Sequence, residues 1–180
     1  MRIELHQPIT EELPILRHYI RWLLDAAPQQ QLRRILEILF PDPPPRLGSF
    51  LHRTLESVTQ GSPIFSISVG DNAEALNLSD RTLQRLCQRG HLPGPKRMLL
   101  WTGLLYLILV ARLNRASVTE TASTLGIPRK RFSEVCRELL RQKHSLGPLW
   151  LDDSHATLTA FVEECVLPPQ KVAEALAALG

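Results

Sequence analysis

Two stretches of the chain, SVGDNAEALNLSDRTLQRLC (residues 68–87) and SVTETASTLGIPRKRFSEVC (residues 117–136), align without a gap. Both begin with Ser-Val and end with Cys, and a small residue, Ala73 or Ala122, stands at the same place in each. A repeat of this length indicates that the chain builds one supersecondary unit twice. The fold class therefore follows from what one copy of the repeat forms.

Each copy predicts a short helix, a tight turn and a second helix. The alanine lets the two helices cross closely. The turn residue is Asn77 in one copy and Gly126 in the other, and these residue types adopt a positive φ most readily. Ser79 and Pro128 then suit the start of the second helix. The pattern predicts two helix-turn-helix units, and the alternative is a repeated helical pair that does not bind DNA.

The second helix of each unit is expected to bury its apolar residues and to expose a polar face. Leu83 and Leu86 are the predicted inner residues of the first copy, and Phe132 and Val135 those of the second. The predicted outer residues are Asp80, Arg81, Gln84 and Arg85 in the first copy, and Arg129, Lys130, Ser133 and Glu134 in the second.

Charge is distributed unevenly along the 180 residues. Residues 1–67 are neutral, residues 68–147 carry a net charge of +7, and residues 148–180 carry −4. The positive charge thus lies on the repeat, where a polyanion is its natural partner. A solvated basic face without a partner is the alternative.

The remaining segments also predict helices. The chain is 44% hydrophobic and lacks long alternating runs of Val, Ile and Thr, so an all-α fold is expected. Residues 1–63 carry apolar residues at helical spacing and are expected to pack, to form a homodimer or to receive a signal. Residues 147–180 form an acidic tail with predicted helices at 154–165 and from Pro168 onward.

The apolar run at 98–111 joins the two copies. It has 14 residues between basic residues, whereas a membrane span needs about 20, so it predicts a buried linker helix and no membrane association. No signal peptide is visible, and the three cysteines are typical of a reducing cytoplasm. Cys87 and Cys136 are expected to fill the core.

The arrangement resembles the DNA-binding domain of the AraC/XylS family of bacterial transcription regulators. LNLSDRTLQRLCQRGHLPGPKRMLLW matches the family's first helix-turn-helix unit, and SVTETASTLGI matches the start of the second. The resemblance covers about residues 66–142, within a DNA-binding domain expected at 66–146. It implies that double-stranded DNA is the partner and that the base-reading residues are Arg81, Gln84 and Arg85.

Other polar residues are candidate contacts to the DNA backbone. Arg129, Lys130 and Arg131 stand at a helix start, where backbone amides also point at anions. The full set of expected phosphate contacts is Ser79, Lys96, Arg129, Lys130, Arg131 and Ser133.

Three features depart from the family pattern. Gly103 stands where the linker helix usually has a basic residue, and Glu134 stands where an Arg is common. The second unit is also one residue short after Gly126. The first unit is therefore expected to read bases, and the second mainly to contact phosphate.

The sequence thus predicts a DNA-binding transcription regulator. An alternative is an adaptor that uses the same fold to dock RNA polymerase or a partner regulator, and a weaker one is the DNA-binding part of a recombinase. No catalytic constellation, cofactor motif or paired metal ligands support an enzyme. Asp152, Asp153 and His155 are better explained as tail surface than as a metal site.

Overall fold

The computed structural model describes residues 27–60, 64–140 and 154–165, together with Ala177. These residues form helices joined by turns and contain no strand, so the prediction of an all-α fold is confirmed. The helices expected before Ala27 and after Pro168 fall outside the described residues, except for Ala177. The described helices are α1 (Pro28–Leu39), α2 (Pro45–Thr59), α3 (Val69–Ala75), α4 (Asp80–Arg89), α5 (Pro95–Asn114), α6 (Val118–Thr124), α7 (Arg129–Leu140) and α8 (Ser154–Glu164).

Prolines begin three of these helices. Pro28, Pro45 and Pro95 occupy the first turns of α1, α2 and α5, where a missing amide breaks no intrahelical bond. Helix α2 therefore begins at Pro45, the last proline of the segment PDPPP at residues 41–45. Pro44, directly before α2, has φ −49° and ψ 144°.

The centre of the fold is α5. It packs against the four helices that precede it in the chain, α1 to α4, and against the three that follow it, α6 to α8. Its 20 residues span about 30 Å at 1.5 Å per residue. Side chains all around it are buried, including Met98, Trp101, Leu104 and Leu107 at 0% exposure. A helix that is apolar on every face lies in the interior, so α5 organises the other helices around itself.

By length and composition, α5 could also cross a membrane. It is longer than the 14-residue apolar run because Lys96, Arg97 and Arg112 belong to it. However, 67% of its most apolar window is buried inside the protein, as in the core helix of a soluble protein. A single helix of this kind is weak evidence for a membrane span.

The repeat is reproduced in the backbone hydrogen bonds. Ser68 and Ser117 cap α3 and α6, and their Oγ atoms accept bonds from Asp71 N at 3.4 Å and Glu120 N at 3.2 Å. After each helix, a bond returns to the buried alanine: Leu78 N donates to Ala73 O and Ile127 N to Ala122 O, both at 2.9 Å. The α3–α4 and α6–α7 pairs therefore have equivalent connections.

Positive φ angles occur at the predicted turn residues. Asn77 has φ 52° and Gly126 has φ 70°. In the turn after α4, His91 has φ 56°, whereas Gly90 has φ −84°. Arg115, with φ 52°, ends α5 in the same way.

We expect Gly126→Val to destabilise the fold by about 1–2 kcal/mol, since a β-branched residue is strained at positive φ. Steric crowding is not the cause, because a Cβ at Gly126 meets no atom within 4 Å. Gly126→Asn is the matched control, because Asn occupies the same position in the first pair. Chemical denaturation of both variants checks this, and equal losses for Val and Asn would contradict the assignment to φ.

Helix α8 attaches the acidic tail to the core. Leu158 and Phe161 are fully buried, and the Phe161 ring lies 5.8 Å from that of Trp101 on α5. The indole Nε1 of Trp101 also donates to Glu164 Oε2 at 3.0 Å. Helix α8 is therefore part of the packed structure.

Candidate nucleic-acid interface

The exposed face of α4 carries the three residues expected to read bases. Arg81, Gln84 and Arg85 are all exposed, and their spacing of three and four residues places them on one side of the helix. The opposite side holds Leu83 and Cys87, both at 0% exposure. No hydrogen bond or ion pair from residues 27–60, 64–140 or 154–165 engages the three outer side chains, so α4 presents two cations and one amide to solvent.

Helix α4 has a capped start, and the side chain of Gln84 lies beside Gly94. Ser79 Oγ accepts from Thr82 N at 3.2 Å, and the two hydroxyls of Ser79 and Thr82 are 2.9 Å apart. The hydroxyl of Ser79 is thus already engaged in capping the helix. In the middle of the helix, the amide of Gln84 lies close to Gly94: a methyl group on Gly94 would come within 3.2 Å of Gln84 Nε2, so the glycine leaves room for that amide.

The start of α7 is the second basic surface. Arg129, Lys130 and Ser133 are exposed, and no partner for them exists among the described residues. The helix begins directly after Pro128, so its first amides and two cations lie close together. This arrangement favours an anion at the start of α7.

Arg131 has a different environment from its two neighbours. Its Nε and Nη2 atoms donate to the backbone oxygen of Phe65 at 3.2 and 2.8 Å. Its Nη1 lies 3.8 Å from Glu134 Oε2. The side chain remains 38% exposed, but its donors face the protein.

Lys96 also has a partner within the protein. Its Nζ lies 2.8 Å from Glu138 Oε1 on α7, at a site where the lysine is 62% exposed. An exposed ion pair of this kind contributes little to stability, about 0–1 kcal/mol. Lys96 could therefore exchange this carboxylate for a phosphate at small cost.

Arg97 is a cation that the sequence alone did not single out. It forms a short ion pair with Glu164 of α8 through Nη2, and its Nη1 donates to Glu138 O at 3.0 Å. The hydrogen bond that the Arg97 guanidinium donates to the Glu164 carboxylate is the main cause that raises the pKa of Arg97. The only indication in the sequence is that an acidic tail follows a basic segment.

The free thiols of Cys87, Cys136 and Cys165 lie in buried or half-buried positions that disfavour their ionised form. Burial raises the pKa of Cys87 to about 12 and that of Cys136 to about 11, and it raises the pKa of Cys165 further. Thiols so far from ionisation are poor nucleophiles and poor metal ligands at neutral pH. Cys87 is fully buried and Cys136 half-buried, as expected for residues that fill space.

A metal site finds no support in the described residues, which contain no group of three His, Cys, Asp or Glu residues able to hold an ion. Asp152 and Asp153 fall outside the described residues, as does the side chain of His155. The basic surfaces of α4 and α7 thus remain the candidate functional site.

Comparisons with protein-family models, with curated proteins and with solved structures found no match for this chain. Function is therefore inferred from the two surfaces themselves.

Proposed function

We propose that the protein is a sequence-specific DNA-binding regulator of transcription, of the kind the AraC/XylS resemblance implies, acting in the bacterial cytoplasm. The observation that carries the proposal is the outer face of α4, where Arg81, Gln84 and Arg85 project into solvent without partners among the described residues. Arg recognises guanine O6 and N7 in the major groove, and Gln recognises adenine N6 and N7.

The second pair supports the proposal with a phosphate-binding role. Arg129, Lys130 and Ser133 at the start of α7 are suited to contacts with the DNA backbone. Helix α5, which joins the two pairs along the chain, has 20 residues and is about 30 Å long, close to the roughly 34 Å between successive turns of the major groove. The proposal requires α4 and α7 to reach one side of a duplex together.

Selection of bound duplexes from a random DNA pool tests this proposal. We expect an enriched motif and an affinity that falls steeply with salt, because phosphate contacts release counterions. The adaptor alternative predicts the opposite result, with no binding to any duplex at low salt. A steep salt dependence without an enriched motif would support non-specific binding and contradict sequence reading.

We expect Arg85→Ala to weaken binding to the selected duplex by about 1–3 kcal/mol and to relax the preference at one base pair. The matched variant is Lys130→Ala, which should weaken all sequences alike and reduce the salt slope by about one unit. Both residues are exposed, so neither substitution should affect folding. Dissociation constants are measured for the selected duplex and its single-base variants, and equal losses on every sequence for both variants would refute base reading by α4.

A further inference from the structure

The short segment before α3, residues 64–67, lies pressed against the central helix. We refer to it as the strap. Ile64 and Phe65 are 7% and 4% exposed. A Cβ added to Gly103 of α5 would stand 2.8 Å from Ile64 Cγ2 and 2.9 Å from Phe65 Cε1. Such contacts are too short for carbon atoms, so the strap approaches α5 as closely as a glycine permits.

Arg131 attaches the strap to α7. Its Nε and Nη2 atoms both donate to Phe65 O, at 3.2 and 2.8 Å, across 66 residues of sequence. With Nη1 facing Glu134, all three nitrogens of the guanidinium are directed at groups of the protein. Arg129 and Lys130, two and one residues earlier, have no such partners among the described residues. A planar guanidinium is suited to this task, because two of its donors can meet one acceptor with a fixed orientation.

The contact connects the two helical pairs by a second route. The first route is α5, which joins α4 to α6 through the chain. The strap runs directly into Ser68, which caps α3 of the first pair. Arg131 belongs to α7 of the second pair, so its bonds to Phe65 close a ring of contacts that holds both pairs in one relative position.

We propose that Arg131 is a positioning residue, which fixes α7 relative to the first pair and does not contact phosphate. The proposal rests on the proposed function, in which α4 and α7 engage one duplex at the same time. It replaces the phosphate contact that the sequence suggested for Arg131. Its consequence is that the affinity for a duplex long enough to engage both pairs depends on Arg131. The affinity for a duplex that engages only one pair does not.

The test uses the full chain and random-sequence duplexes of two lengths, roughly 20 and roughly 10 base pairs, or two helical turns and one. Dissociation constants are measured over a range of salt concentrations. Arg131→Ala should lose about tenfold in affinity for the long duplex, because the two pairs are no longer preorganised, and less than about twofold for the short one. Its salt slope should stay unchanged.

Two further variants separate positioning from phosphate binding. Lys130→Ala should lower the salt slope by about one unit, because it removes a phosphate contact. The affinity that it loses should not depend on preorganisation of the two pairs. Arg131→Lys keeps the charge but not the two-donor geometry, so it should restore only part of the affinity for the long duplex. Thermal unfolding shows whether each variant is folded. If Arg131→Ala does not fold, the comparison between Arg131→Lys and the wild-type protein serves as the test.

Hydrogen exchange adds a readout that does not involve DNA. In Arg131→Ala the amides of residues 64–68 should exchange faster, whereas in Lys130→Ala they should not change. A salt slope that falls in Arg131→Ala, with full restoration by Arg131→Lys, would overturn the positioning role in favour of a phosphate contact. Unchanged exchange at the strap would also overturn it. Failure of the wild-type protein to bind either duplex would instead overturn the proposed function.

Discussion

Trp101→Ala should destabilise the protein by about 3–5 kcal/mol, the usual effect of removing a large aromatic side chain from a core. Trp101 is completely buried near the start of α5. Its ring packs beside Phe161, and its Nε1 donates to Glu164 Oε2 at 3.0 Å. The substitution would leave a cavity and remove one of the two side chains that hold this carboxylate.

The control for this prediction is Trp101→Phe. Phenylalanine keeps an aromatic ring next to Phe161 but cannot donate to Glu164, so we expect a loss of about 1–2 kcal/mol. Chemical denaturation followed by circular dichroism gives the free energy of unfolding for both variants. Similar losses for Ala and Phe would show that the hydrogen bond matters more than the ring, and a loss below about 1 kcal/mol for Ala would contradict the packing of α8 on α5.

The consequence for the tail is specific. Glu164 accepts bonds from both Trp101 and Arg97, which stand one helical turn apart on α5. In Trp101→Ala, the rate of amide hydrogen exchange should therefore increase more in α8 than in α3 and α4. The same measurement on Trp101→Phe should show a smaller increase in the same helix.

The local features of the fold could be predicted from the sequence because they depend on neighbouring residues. A positive φ favours Asn or Gly whatever the surroundings, and Asn77 and Gly126 both adopt it. A serine before a helix caps it through an amide three residues later, as Ser79 does through Thr82 N. The outward direction of Arg85 follows in the same way from the apolar residues on the other side of α4.

Contacts between distant residues could not be predicted in this way. Arg97 and Glu164 are 67 residues apart, and the basic character of one segment and acidic character of another do not specify which pairs meet. Arg131 is the clearer example, because its partner is a backbone oxygen. Since every residue has such an oxygen, the sequence around Phe65 contains no signal that marks it as an acceptor. Arg131 therefore resembled its neighbours Arg129 and Lys130 until the packing of the strap was known.

Gly103 was noticed in the sequence, but its role depends on a contact with residues distant in the chain. The sequence showed that glycine stands where the resembling family usually has a basic residue in the linker helix, but it gave no physical reason. The structure supplies one: the strap covers this part of α5, and the space of a side chain at position 103 is taken by Ile64 and Phe65. A basic side chain here would have to displace the strap or lie buried without a partner.

Gly103→Arg should therefore destabilise the protein by about 3 kcal/mol or more, since it adds overpacking and a poorly solvated charge at one site. Gly103→Ala, with only the Cβ, is the matched control and should lose about 1–2 kcal/mol, because better helix propensity offsets part of the overpacking. Free energies of unfolding are obtained from chemical denaturation of the full chain.

A third variant tells whether the strap is the cause. Ile64→Ala removes Cγ2, the atom closest to the added Cβ. The double variant with Gly103→Ala should lose less free energy of unfolding than the two single variants lose together. The difference should be about 0.5 kcal/mol or more, as expected for residues in contact. Additive losses would mean that the glycine is required for another reason. A stable Gly103→Arg protein would mean that the strap leaves α5 readily, and the arrangement that Arg131 is proposed to hold would then not be fixed.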